Sequence, residues 1–275
     1  MAVKSLVILI LLSLTMTSIM HGQESYRKTY NDELKAQWDE VFFDQGNGDW
    51  TDKWFLDGLK GEVRNSPEGM HFSAGPDVED ASHAVLWTQE SFAGNIKLEF
   101  DYTRTDTLNR FVSIVFLQAT GTGEGPYDED ISAWSELREI PSMKTYFDNM
   151  HLLHVSFTAY SAKEECPVES SYIRARRYPR SLFGDSFDRM ELKPDFLNTD
   201  LFHPDITYHV VFIKTEKELF MNVRNDEVDR IFRWDLTQVP NVSEGRIGFR
   251  NMNQRSGLFK NISVSRLNGD DSVSK

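Results

Sequence analysis

Short runs of alternating apolar and polar residues recur along this sequence, separated by residues that favour turns. In the run 95–106, the alternate apolar positions are Ile96, Leu98, Phe100 and Tyr102. Alternate side chains of a β-strand point to opposite faces, so this run predicts a strand with one buried and one solvated face. Run 151–160 has the same pattern, whereas the almost wholly apolar run 111–117 predicts a central strand covered on both faces. Many short strands without a long amphipathic helix predict an all-β fold, an antiparallel β-sandwich or jelly roll.

The start of the chain is predicted to be a secretory signal peptide and not part of the fold. Lys4 precedes an apolar run at residues 6–12, and small polar residues then extend to Gly22. The apolar run is too short to span a bilayer, although an uncleaved membrane anchor is the alternative. We therefore expect a protein that is secreted or periplasmic and free of the membrane after cleavage. The expected divisions are a signal peptide at 1–22, a lead-in at 23–36 that is loose or, alternatively, a short helix, one jelly-roll domain at 37–268 and a tail at 269–275.

The charge balance is strongly acidic, with a formal net charge of −13 that becomes −14 without Lys4. General nucleic-acid binding needs a basic surface and is therefore excluded. Three arginines nevertheless lie close together, at Arg174, Arg176 and Arg177. A local cluster of this kind attracts an anionic ligand in a cleft whatever the net charge. The single cysteine, Cys166, excludes an intramolecular disulfide, and a domain of this size needs none.

The arginine cluster belongs to the stretch 172–178, which is predicted to form another strand. Two tyrosines and two arginines would share one face of this strand: Tyr172, Arg174, Arg176 and Tyr178. Arg177 interrupts the apolar character of the opposite face. The polar face suits an anionic, ring-shaped ligand, and the alternative is a solvated face of unusual composition. The long connection 179–206 that follows is predicted to be irregular, and it is expected to be functional or to form a lid.

Longer motifs resemble a known family, and they lie at residues 136–140, 145–149, 154–157, 172–178 and 244–250. On these motifs the chain is identified as a member of the YesU-like family, a bacterial domain-of-unknown-function family. The resemblance extends from about residue 43 to about residue 266. It implies a concanavalin A-like jelly roll, often found with enzymes that degrade pectin-like or other acidic polysaccharides. It implies no established reaction.

A more distant resemblance is to the jelly-roll alginate lyases. These enzymes carry three strand motifs in order, R-[ST]-E-L-R, Q-I-H and Y-F-K-A-G-x-Y. Here the similar segments, in the same order, are residues 135–138, 152–154 and 172–178. This chain departs from the pattern where Leu152 replaces glutamine and Arg176 replaces glycine.

This resemblance implies roles in β-elimination from a uronate, with Arg138 as carboxylate binder, His154 as base and Tyr178 as acid. The reaction needs the carboxylate neutralised, the C5 proton removed and the leaving oxygen protonated. Arginine matches a carboxylate bidentately, and guanidinium groups beside a tyrosine are expected to lower its pKa. Substrate binding is expected of Arg174, Arg176, Tyr172, Tyr160 and Trp134, the last by stacking on a sugar ring. The structural alternatives are an ion pair for Arg138 and core or rim positions for the aromatic rings.

Four functions remain open, all for an extracytoplasmic protein. The first is a polysaccharide lyase that acts on an acidic, uronate-containing polysaccharide or oligosaccharide without a metal or other cofactor. The second is a non-catalytic, lectin-like carbohydrate-binding jelly roll. A glycoside hydrolase ranks third because the carboxylate motifs E-x-D-x-E and E-x-D-x-x-E are missing from the sequence, and a structural extracellular domain ranks fourth. The acidic run 128–130 would suit a structural Ca²⁺, although such runs are more often solvated loops.

Overall fold

The computed structural model describes residues 26–160 and 171–269, which form mainly β-strands. The helices are α1 (26–34) and α2 (Met143–Asn149). The strands up to residue 121 are β1 (Trp38–Asp44), β2 (Trp54–Asp57), β3 (Glu62–Ser66), β4 (Gly69–Ser73), β5 (Ala84–Ala93), β6 (Ile96–Arg104) and β7 (Ser113–Gly121). The later strands are β8 (Met150–Ala159), β9 (Tyr172–Tyr178), β10 (Glu191–Leu197), β11 (Thr207–Lys214), β12 (Glu218–Arg224), β13 (Asp229–Asp235), β14 (Glu244–Asn251) and β15 (Ser256–Leu267).

The strands pair in antiparallel fashion in two sheets. Sheet 1 has the order β13-β12-β11-β6-β15-β4-β3, with β1 also paired to β15. Sheet 2 has the order β10-β9-β8-β7-β14-β5-β2. Seven of the thirteen strand pairings among the described residues join strands that are not consecutive in the chain, as in a jelly roll. The predicted all-β antiparallel sandwich is confirmed.

The main core lies between the two sheets and is rich in aromatic rings. The inward face of β6 is the one predicted, since Ile96, Leu98, Phe100 and Tyr102 are all buried. From sheet 1, Phe100 contacts Phe249 and Tyr102 contacts Phe157, at ring-centroid distances of 5.0 and 5.1 Å. Each such ring contributes about 1.5–3 kcal/mol when it leaves water. This aromatic core supports the sandwich without a disulfide.

A second apolar layer covers much of the outer face of sheet 2. It consists of a 3-10 segment at Ile131–Arg138, helix α2, and 3-10 turns at Arg180–Phe183 and Asp188–Met190. We call these segments the covering layer. Buried side chains of sheet 2 that pack beneath it are Val85, Trp87, Ile114, Phe116 and Leu152. Strand β7 is therefore covered on both faces, as predicted, and the covering layer leaves no open groove over this part of sheet 2 among the described residues.

Two predicted irregular segments contain regular structure. The lead-in forms helix α1, and Tyr30 packs on the outer face of sheet 1 with its ring centroid 6.0 Å from that of Phe220. The connection 179–206 includes β10, which pairs with β9, and two turns of the covering layer. The predicted signal peptide and residues 270–275 of the tail lie outside the described residues. Within residues 26–160 and 171–269, the helices are too short or too polar to cross a membrane.

Candidate functional site

Strand β9 has the predicted alternation, but its arginines are already paired. Ile173 and Ala175 enter the main core, and Tyr172, Arg174, Arg176 and Tyr178 share the outer face. The adjacent strand β10 supplies the counter-charges: Arg174 lies 2.7 Å from a carboxylate oxygen of Asp195, and Arg176 lies 2.9 Å from one of Glu191. Because these guanidinium groups have partners in the chain, a substrate carboxylate would have to compete for them.

His154 and Tyr178 are in direct contact, as a base and an acid would be, but both are buried. The Nδ1 atom of His154 lies 2.6 Å from the hydroxyl of Tyr178, and its Nε2 lies 2.6 Å from Oγ of Ser156. Burial, followed by the positive charges of Arg176 and Arg250, keeps the pKa of His154 well below its usual range. The imidazole is therefore neutral at pH 7, with one ring nitrogen donating and the other accepting.

The predicted lowering of the tyrosine pKa is wrong for Tyr178. Its side chain has no exposed surface, and burial raises the pKa of the phenol. The nearby guanidinium groups of Arg176 and Arg250 oppose this effect but are weaker than it. A phenol in this environment keeps its proton, so it can donate a hydrogen bond but does not form phenolate at neutral pH.

Arg138 lies in the 3-10 segment of the covering layer, not in a strand as the lyase motif requires. Its Nε donates to Oδ2 of Asp57 at 2.5 Å, and its Nη groups donate to the carbonyl oxygens of Trp134 and Ile131. Tyr146 donates to the same oxygen of Asp57 at 2.9 Å. These groups are buried, so Arg138 ties the covering layer to sheet 2 and corresponds to the structural alternative.

Two of the aromatic residues expected to contact sugar, Trp134 and Tyr160, are also internal, whereas Tyr172 is half-buried on the outer face of β9. Trp134 is 4% exposed and lies beneath the guanidinium of Arg138, 4.2 Å from ring centroid to Cζ. Tyr160 is 3% exposed, and its hydroxyl accepts a hydrogen bond from Arg104 at 3.1 Å. Neither ring offers a flat face to a ligand in this structure, because both pack inside the chain.

The acidic run 128–130 makes contacts within the protein. The carboxylate of Asp130 accepts from the backbone N–H of Ser132 at 3.0 Å and lies 2.8 Å from Arg246. Within the part of the chain that the structure describes, no group of three or more His, Cys, Asp or Glu side chains is placed to hold a metal ion. Asp130 therefore serves as the N-cap of the 3-10 segment.

An open cleft lies at one end of sheet 2, where β7, β8, β9 and β14 meet their loops. It consists of two adjoining pockets that share Thr122 and His151. The arginine pocket, of about 200 Å³, is lined by Arg177, His151, Glu129 and Glu244 among others. The tyrosine pocket, of about 410 Å³, is lined by Tyr127, Asp148, Asn149, His151, Ser181 and Leu182 among others. This cleft is the candidate functional site.

Arg177 is the unusual residue of this cleft. It is 2% exposed, and its Nε donates to the carbonyl oxygen of Pro240 at 2.8 Å. Its Nη2 contacts Nδ1 of His151 and the carbonyl oxygen of Asn241 at 3.4 and 3.3 Å. Among the described residues, Nη1 has no hydrogen-bond partner and no carboxylate forms an ion pair with Arg177. Burial lowers its pKa to about 10, so the guanidinium remains charged at pH 7.

His151 completes this corner as a neutral acceptor. Burial and the charge of Arg177 lower the pKa of His151 below its usual range. Since Arg177 can only donate, Nδ1 of His151 accepts and the ring proton lies on Nε2. Both residues lie at inward-facing positions near strand ends, in line with Leu153 of β8 and Ala175 of β9. A charged residue at an inward-facing strand position was therefore the sequence signal for this cleft. From the sequence, Arg177 was interpreted only as an interruption of the apolar face.

Comparison with known proteins shows the fold. No protein-family model and no curated protein matches the chain, so membership of the YesU-like family is not confirmed. Among solved structures, a protein of unknown function with a galectin-like fold from Bacillus subtilis is 18% identical, with a TM-score of 0.64 over 83% of this chain and 97% of that one. The CBM2 module of the evolved Dit of Lactobacillus casei BL23 phage J-1 is 10% identical, with a TM-score of 0.50 over 86% and 99%. At these identities the likeness establishes a shared β-sandwich fold.

Proposed function

We propose that this protein binds carbohydrate in the cleft formed by the arginine and tyrosine pockets. The observation that supports this most directly is the lining of the tyrosine pocket. Tyr127 and Leu182 provide apolar surface beside the polar side chains of Asp148, Asn149 and His151. A sugar presents an apolar C–H face together with hydroxyls that both donate and accept, so it matches a lining of this kind.

The size of the cleft and the fold are consistent with this function. The volume of the tyrosine pocket, about 410 Å³, lies within the usual range for small-ligand sites. This chain shares its β-sandwich with a CBM2 module and with a protein of galectin-like fold, and that fold is compatible with sugar binding. Fold alone does not determine function, and the cleft provides the chemical argument.

The finer proposal is that the glycan is acidic. The net charge of the chain is strongly negative, yet Arg177 adds a buried positive charge to this cleft with no carboxylate partner in the described part of the chain. A ligand with a negative group would compensate that charge. A uronate-containing polysaccharide or oligosaccharide, as expected from the sequence, is therefore the preferred ligand class.

Lyase activity is a second candidate, favoured by the 2.6 Å contact between His154 and Tyr178. The two side chains are 2% and 0% exposed, so catalysis would require the covering layer to move away from sheet 2. Incubation with uronate glycans, followed by the ultraviolet absorbance of an unsaturated product, tests this candidate. Absorbance that increases with time would support it, and binding without absorbance would leave the lectin-like function.

The binding function is tested by screening the purified protein on a glycan panel and measuring affinities by titration calorimetry. Tyr127→Ala is expected to weaken binding about tenfold, equivalent to the loss of one aromatic contact of about 1.4 kcal/mol. Arg224→Gln, an exposed position on sheet 1, is the matched control and should bind normally. A panel without any binder, or full affinity in Tyr127→Ala, would contradict the proposal.

A further inference from the structure

The buried arginines of this protein fall into two groups according to their partners. Arg104, Arg138, Arg176 and Arg255 each form an ion pair with a carboxylate of the chain. Arg177 does not, and neither does Arg250, which lies beneath the covering layer against the carbonyl of Pro141. Of these last two, Arg177 is the one that lines the cleft.

An uncompensated guanidinium is costly to bury. The charge of Arg177 is met by neutral acceptors on one side, and its Nη1 is buried without a partner in the described part of the chain. Leaving a charged group without its counterpart in a protein interior is destabilising, and a bound anion offsets this effect. The uncompensated charge of Arg177 therefore favours a ligand with a negatively charged group at this point of the cleft.

The rest of the arginine pocket limits the charge of that group. Glu129 and Glu244 line the same pocket, and both are exposed. Their charges are screened by solvent but still disfavour a dianion such as a phosphate monoester. Their oxygens can only accept hydrogen bonds when ionised, so they suit the hydroxyl groups of a ligand. One negative charge and several hydroxyls on the same small ligand satisfy both parts of the pocket.

We infer that the arginine pocket binds a single uronate residue of the glycan, with its carboxylate on Arg177 and its hydroxyls directed to Glu129 and Glu244. This inference rests on the proposed function and specifies its ligand. Nε and Nη2 of Arg177 already donate to the carbonyl oxygens of Pro240 and Asn241, so the carboxylate is assigned to Nη1, the donor without a partner in the described part of the chain. The pocket volume of about 200 Å³ is below the usual range for a whole ligand, so the neighbouring sugar occupies the tyrosine pocket across His151.

The first experiment uses the unaltered protein and matched ligands. Oligosaccharides of galacturonate, mannuronate and glucuronate are each compared by calorimetry with their carboxyl-reduced counterparts, which differ only in the acidic group. A sulfated neutral oligosaccharide provides a tetrahedral anion. We expect at least one uronate oligosaccharide to bind ten or more times more tightly than its reduced counterpart, and more tightly than the sulfated sugar.

The second experiment assigns that preference to Arg177. Arg177→Gln is expected to lose at least tenfold in affinity for the acidic oligosaccharide and clearly less for the reduced one. Arg177→Lys, which keeps the charge without the planar fork, should retain part of the preference. Arg224→Gln is the control for an arginine removed elsewhere, and thermal unfolding shows whether each variant folds.

The outcomes separate the inference from the function on which it rests. Equal binding of acidic and reduced sugars would overturn the uronate assignment while leaving carbohydrate binding intact. An acidic preference that persists in Arg177→Gln would overturn the role of Arg177, and tighter binding of the sulfated sugar would overturn the carboxylate. Should Arg177→Gln fail to fold, the comparison on the unaltered protein still decides the ligand class. Absence of binding to any glycan would instead contradict the proposed function.

Discussion

At the scale of single residues, buried charges in this protein differ in whether the chain itself compensates them. Arg138 is paired with Asp57, and Arg176 is paired with Glu191. Arg177 contacts neutral acceptors instead. Removing one partner of a buried pair leaves the other charge uncompensated in the low-dielectric interior. Replacement of a paired residue therefore lowers the free energy of unfolding. Replacement of a charged residue that has no such partner and lines an open cleft should instead lower the affinity for a ligand.

Replacement of Tyr178 by phenylalanine tests the structural role of the buried pair with His154. Loss of the hydroxyl leaves Nδ1 of a buried imidazole without its partner, so we expect the free energy of unfolding to fall by about 1–3 kcal/mol. Glycan affinity should be unchanged, because Tyr178 is covered. Urea denaturation and calorimetry measure the two effects, with Tyr26→Phe in α1 as the control. Loss of a lyase activity without loss of stability would contradict this role and support the catalytic prediction.

At the same scale, the sequence predicted which face of a strand each side chain occupies, but not which residues it pairs with. The period-2 pattern placed Arg174 and Arg176 on one face of β9, as observed. Their partners, Asp195 and Glu191, lie on β10, inside a connection that was predicted to be irregular. Strand pairing depends on contacts between segments remote in sequence, and alternation within one strand does not specify them. The prediction that these arginines bind substrate consequently overlooked the carboxylates beside them.

At the scale of elements, both sheets carry segments that the sequence pattern left unassigned. Helix α1 covers the outer face of β11, β12 and β13, where Val211, Ile213, Phe220 and Ile231 cluster with Tyr30. The alternating strands were recognised because each has one continuous apolar face. Short helices and 3-10 turns carry too few turns to display a period, so α2 and segment 131–138 were missed and a loose lead-in was preferred to the short helix α1. These elements decide which faces of the sandwich remain open.

Truncation of Tyr30 tests whether α1 is an integral part of the fold. Tyr30 is 3% exposed and packs on Phe220, so Tyr30→Ala is expected to lower the free energy of unfolding by about 3 kcal/mol. Lys28→Ala, on the exposed side of α1, removes only a surface pair with Asp32 and should stay within about 0.5 kcal/mol. Equal stability of the two variants in urea denaturation would mean that α1 contributes little to the domain.

At the scale of the whole molecule, a charged cluster on sheet 1 contributes to the pH dependence of stability. His209 on β11 lies opposite Asp101 on β6, with Nδ1 2.8 Å from its carboxylate, and its Nε2 is 3.8 Å from Glu99. Lys97 pairs with Glu99, Asn261 donates to Asp101, and Arg224 adds a weak opposing charge. The hydrogen bond to Asp101 and the nearby carboxylate of Glu99 raise the pKa of His209 to about 9, and the interaction with His209 lowers the pKa of Glu99 to about 2.

The raised pKa of His209 predicts a loss of stability in alkali. Because the folded state binds this proton more tightly than the unfolded state, the contribution is complete below about pH 6.5 and disappears as pH rises through 9. Allowing for partial exposure of the side chain, we expect the free energy of unfolding to fall by about 1–2 kcal/mol between pH 6.5 and 9.5. His209→Gln should flatten this slope in urea titrations, whereas His203→Gln, at an exposed pair with Asp200, should preserve it. An equal slope in His209→Gln and the unaltered protein would show that other groups control alkaline stability.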